Sequence, residues 1–86
     1  MAGFTEQELK DRHSIVNEGW QFFKKWAQDE RYLSNDKAIS DVYWSEAIAE
    51  TGVIYEKRNR DPLVKDILLA MVGEIERRSK VGAEEH

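Results

Sequence analysis

The sequence predicts an all-α fold, a three-helix bundle with a short extra helical turn between helices 1 and 2. Three observations lead there. Apolar residues recur every three to four positions along three long segments. Residues that cap helices stand where those segments begin. The lone proline, Pro62, falls at a first-turn position, where its missing N–H costs nothing. With 86 residues the chain has room for one domain, 1–86. Three Trp, three Tyr and three Phe provide material for a core.

The first helix is expected over about 6–29. Thr5-Glu6-Gln7-Glu8 is a capping box, with Phe4 and Leu9 at the two hydrophobic-staple positions around it. Its main apolar stripe runs Leu9, His13, Val16, Trp20, Phe23, Ala27. A second stripe, Ile15, Gly19, Phe22, Trp26, lies beside it, and the two together sweep roughly 180°. Tyr32–Ser40 is a connection that can hold the extra turn.

The second helix is expected over about 41–58, capped by Ser40 or Asp41. Its stripe is Trp44, Ala47, Ile48, Thr51 and Tyr55, with Ile54 at the edge. It ends on Lys57-Arg58-Asn59-Arg60, whose cations complement the C-terminal dipole. The third helix is expected over about 62–80. Asp61 caps it, Gly82 stops it and Ala83–His86 form a frayed end. Its apolar residues from Leu63 to Ile75 sweep roughly 240°, more than two neighbouring helices of one chain cover. That excess points to a second protein chain, most simply another copy.

Composition narrows the function classes. With no cysteine there is no disulfide and no thiolate metal site. Two histidines, His13 and His86, are too few for an all-histidine metal site, so no cofactor is expected. The net charge of −4 comes from 17 acidic and 13 basic residues, interspersed, which argues against a large nucleic-acid surface. No apolar run approaches the roughly 18–20 residues that span a bilayer. Met1–Lys10 lacks the basic start and apolar stretch of a signal peptide. A cytoplasmic location is the expectation.

Four groups of side chains invite a chemical reading. Glu8/Asp11 and Glu46/Glu50 have the spacing of magnesium-holding carboxylates, but solvated helix faces account for both pairs. His13 reads as a partly buried packing residue, since no nucleophile or orienting acid stands beside it. Trp20, Phe22, Phe23 and Trp26 are too many large rings for one inward face. Phe22 and Trp26 are therefore candidates for a semi-exposed contact edge, with Leu69 and Val72 on the third helix. Lys57, Arg58, Arg60 and Lys65 are the candidate nucleic-acid contacts of a helix-turn-helix reading. That reading is short of the Arg, Lys, Asn and Gln that groove-reading helices carry.

Tyr43-Trp44, Tyr55-Glu56-Lys57 and the run Pro62-Leu63-Val64-Lys65-Asp66-Ile67-Leu68-Leu69-Ala70 through Glu74-Ile75-Glu76-Arg77-Arg78 resemble small helical proteins encoded by phages and prophages of Gram-positive bacteria. The resemblance covers about half the chain and implies an accessory protein that works by binding; no functional residue carries over. The leading expectation is a non-enzymatic interaction module that forms a homodimer and regulates or inhibits a host protein. A nucleic-acid-binding regulator is the alternative, and an all-α metal-dependent nucleotide hydrolase comes third.

Overall fold

The computed structural model describes residues 3–84, with side chains through Lys80. It is a three-helix bundle. Helix α1 spans Glu6–Ala27, a 3-10 turn spans Glu30–Leu33, α2 spans Lys37–Lys57 and α3 spans Pro62–Glu84. The short turn lies within the predicted neighbourhood, though it starts two residues before Tyr32.

Local chemistry explains the ends. Thr5 Oγ1 accepts from the Glu8 N–H (3.1 Å), and the Thr5 N–H donates back to Glu8 (3.0 Å). The Thr5 N–H, with the Thr5 hydroxyl beside it, holds the Glu8 carboxyl below its ordinary range. Helix α2 begins earlier than the expected Ser40 or Asp41. Asp36 caps it, accepting from the Ala38 N–H (2.9 Å), and Asp41 instead pairs with Lys37 one turn back (2.9 Å). Helix α3 runs through Gly82 rather than stopping there. Of the expected frayed end, Ala83 and Glu84 remain helical, while Glu85 and His86 lie outside the described residues.

The turn between α2 and α3 closes a Schellman motif. The Arg60 N–H donates to the Tyr55 carbonyl (2.8 Å) and the Asn59 N–H to the Glu56 carbonyl (3.1 Å). Asn59 and Arg60 both sit in the left-handed region, at φ 58° and 57°. Asn tolerates that region; Arg does so at a cost.

The core consists of Ile15, Phe22, Trp26, Tyr43, Ala47, Val64, Leu68 and Ile75. This corrects the expected orientation of α1. Its second stripe, not its main one, faces inward, and Leu9, His13, Val16 and Trp20 are exposed. Gly19 provides the reason. A Cβ there would run into the Ile67 Cγ2 methyl, so glycine is what lets α3 approach along the stripe that contains it. Phe23 and Ala27, from the other stripe, are only half-buried.

Tyr43 is wholly buried and carries the centre of an aromatic cluster. Its ring lies 5.5 Å from Trp26, 5.5 Å from Tyr32 and 4.9 Å from Trp44. Its hydroxyl donates to the Trp26 carbonyl (2.7 Å), which satisfies the one polar atom it brings inside. Burial pushes the phenol well above its ordinary value.

Candidate functional site

Three helices in a bundle share three seams, and here the seams differ in chemistry. The α1–α3 seam is the closest, set by Gly19 against Ile67. Arg12 pins its end, with Nη1 2.8 Å from the Asp61 carboxylate. That guanidinium and the Leu63 N–H hold Asp61 below the usual carboxylate range.

The α1–α2 seam is closed by charge. Glu18 accepts from Arg58 (2.6 Å) and Lys57 (3.2 Å). Burial raises the Glu18 pKa, but the two cations together outweigh it and leave the carboxyl below its ordinary value. Farther along, Glu50 accepts from Lys25 (2.6 Å) and from the Trp26 indole N–H (2.8 Å). Arg31, on the 3-10 turn, bridges Asp29 (2.8 Å) and Glu46 (3.0 Å).

The α2–α3 seam has no such closure. Among the described residues no side-chain hydrogen bond or ion pair joins α2 to α3. Instead a groove of about 160 Å³ opens between them, lined by Thr51, Gly52, Tyr55, Lys65, Leu68 and Leu69. Leu69 is 56% exposed on its α3 bank. At 100° per residue, Trp44, Ile48, Thr51 and Tyr55 share a strip of α2 about 60° wide. Lys65, Leu69, Val72 and Glu76 share an equally narrow strip of α3 on the facing bank.

These placements sort the candidate residues. Leu69 lies on the groove and is exposed, and Val72 beside it is half-buried. Phe22 and Trp26 are corrected. At 3% and 5% exposure they are core residues, and neither forms a contact edge. The surplus ring that the rule of one inward face demands is Trp20, 52% exposed on the outer stripe with Val16. The sequence reading missed Lys65 and Glu76 as neighbours of Leu69, although their spacing of four, three and four residues carries that signal.

The basic residues are mostly engaged. Lys57 and Arg58 hold Glu18, Arg58 also donates to Ser14 Oγ (3.0 Å), and Arg60 pairs with Glu56 (2.9 Å). The hollow at this turn is lined by Asp11 and Asp61 as well as by cations, so it offers an anion little net attraction. The carboxylate pairs are occupied too: Glu8 by its cap, Asp11 by Arg12 (3.1 Å), Glu46 by Arg31 and Glu50 by Lys25 and Trp26. Among the described residues no group of three or more His, Cys, Asp or Glu converges as a metal site would require. No described helix is long and apolar enough to cross a membrane.

No protein-family model, curated protein or solved structure matches this chain.

Proposed function

We propose that this protein is a non-enzymatic interaction module that works by association, and that its first partner is a second copy of itself through the α2–α3 face. The observation that carries this reading is an open, partly apolar groove between α2 and α3 with Leu69 exposed on it, in a chain with surplus surface. The chain exposes 6409 Å², whereas a compact monomer of this mass exposes about 5,300 Å². Its radius of gyration is 15.4 Å, with extents of 54 × 24 × 18 Å, against about 12 Å for a compact 86-residue domain. The surplus of roughly 1,100 Å² exceeds the ~800 Å² that each partner contributes to a standard interface. The groove lined by Thr51, Gly52, Tyr55, Lys65, Leu68 and Leu69 is a concave and mostly apolar part of that surface.

Action as a regulator or inhibitor of a host protein in a phage setting follows from the sequence resemblance alone. The groove supplies the means, burial of apolar side chains.

Sedimentation equilibrium of the wild-type chain at tens of micromolar, the range that captures weak dimers, tests the reading. A dimer is expected, and Leu69→Asp, which places a charge on the exposed bank of the groove, should give a monomer with undiminished helicity. A wild-type chain that stays monomeric throughout would overturn the proposal.

A further inference from the structure

We propose that the two copies meet with α3 antiparallel to α3 across a two-fold axis passing between Leu69 and Val72, so that Lys65 of each protomer pairs with the partner's Glu76. This rests on the self-association reading above and goes beyond it by fixing the register.

Lys65, Leu69, Val72 and Glu76 are separated by four, three and four residues and lie within about 60° on one flank of α3, with Lys65, Leu69 and Glu76 exposed and Val72 half-buried. The strip reads the same from either end in spacing and in apolar centre, while its two ends carry opposite charges. An isologous contact applies one surface to itself, so residue i meets residue j and j meets i. With the two helices antiparallel, Leu69 comes opposite the partner's Val72, and each Lys65 comes opposite the partner's Glu76. A parallel arrangement would instead set Lys65 against the partner's Lys65 and Glu76 against the partner's Glu76.

The charges at the two ends are available for this role. Lys65 and Glu76 are exposed, and none of the ion pairs among the described residues uses either one. Their neighbours on α3 do pair within the chain, Glu74 with Arg77. Each chain carries a net charge of −4, so two copies repel at a distance. Two local opposite-charge pairs then act mainly on register and orientation.

Two glycines fit the same face. A Cβ at Gly52, on the groove wall, would meet nothing within 4 Å, and one at Gly73, next to Val72, would reach only the tip of Arg77 at 4.0 Å. Neither glycine is required by a contact inside the chain, although each weakens its helix by about 1 kcal/mol relative to alanine. Gly19, by contrast, has an internal reason. A second backbone approaching the groove gives Gly52 its own.

Charge reversal tests the register. Lys65→Glu and Glu76→Lys should each weaken wild-type self-association about tenfold or more, since each turns two attractive pairs into two repulsive ones. Circular dichroism should show unchanged helicity, because both sites are exposed. The Lys65→Glu/Glu76→Lys double variant should dimerise again. A one-to-one mixture of the two single variants should also form a heterodimer, as only unlike chains then present opposite charges at both ends. Single variants that dimerise as tightly as a dimeric wild type would overturn the register and leave the self-association reading standing. Failure of the double variant and of the mixture to recover would do the same. A monomeric wild type would overturn both.

Discussion

The α1–α2 and α2–α3 seams are made by the same helix, α2, and solve opposite problems. Toward α1, α2 offers Glu46, Glu50, Lys57 and its cap Arg58, and every one finds an opposite charge or an indole N–H within the chain. Toward α3 it offers Thr51, Gly52 and Tyr55, and the facing bank returns Leu68 and Leu69 with no polar bond across. A seam of paired charges is complete in itself, because its members have no further need of partners. A seam of apolar side chains stays unfavourable in water until something covers it. Polar bonds therefore tie α2 to α1, while α2 meets α3 through apolar packing alone and leaves a groove open beside it.

The strongest way to break this comparison is to delete a large side chain on each side of it. Phe22→Ala removes a 3%-exposed ring from the centre of the core and should destabilise the monomer fold by about 3–5 kcal/mol. Leu69→Ala removes a side chain that the chain itself covers only partly, and should cost the monomer under about 1 kcal/mol while weakening association. Urea unfolding of both variants, run at concentrations below the dimerisation midpoint, separates the two effects. Equal losses would mean that Leu69 belongs to the core and that the open seam is not open.

The same contrast explains what the sequence could disclose. Thr5 and Asp61 announce helix starts because a cap and its N–H are two or three residues apart, so the beginnings of α1 and α3 were legible from local signals, while α2 was legible from its period and its cap Asp36 was not. Which stripe of α1 turns inward was not. Both stripes have helical period, and the choice depends on Gly19 meeting Ile67, a contact between residues far apart in the chain. Phe22 and Trp26 were misplaced as an edge for that reason, and Tyr43 was passed over beside the bulkier Trp44. The wide apolar arc of α3 pointed to Leu69, but among the described residues Leu69 is the one large apolar side chain of α3 left exposed, the rest being buried or half-buried within the chain. The pairing of Lys57 and Arg58 with Glu18 joins residues about forty positions apart, so the basic run read as free charge.

Acid probes the closed seam at Glu18 and leaves the apolar α2–α3 seam untouched. Glu18 has a folded-state pKa below its ordinary 4.5, so the stability it contributes is full above that value and is lost as pH falls through the lower, folded one. Glu18→Gln should cost about 1–2 kcal/mol near neutral pH, where Arg58 and Lys57 lose their charged acceptor. The gap between wild type and variant should close as the pH falls through the folded-state value of Glu18. A gap that persists in acid would show that packing, and not charge, holds α1 to α2 at this point.

The smallest expected effect lies at the turn that joins the two seams. Arg60 sits at φ 57°, a conformation that glycine reaches without the clash an L side chain meets there. Arg60→Gly relieves roughly 1–2 kcal/mol of that clash. It gives back about 0.4–1 kcal/mol through the added freedom of the unfolded chain, and a further ~0.3–0.5 kcal/mol by removing the exposed pair with Glu56. A net gain of a few tenths of a kcal/mol is expected, visible as a small rise in Tm. The Arg60 N–H bond to the Tyr55 carbonyl survives the change, so the angle between α2 and α3 should hold. Self-association should then be unaltered. If the dissociation constant moves with the Tm, the turn governs the width of the α2–α3 groove, and the two seams are mechanically coupled rather than independent.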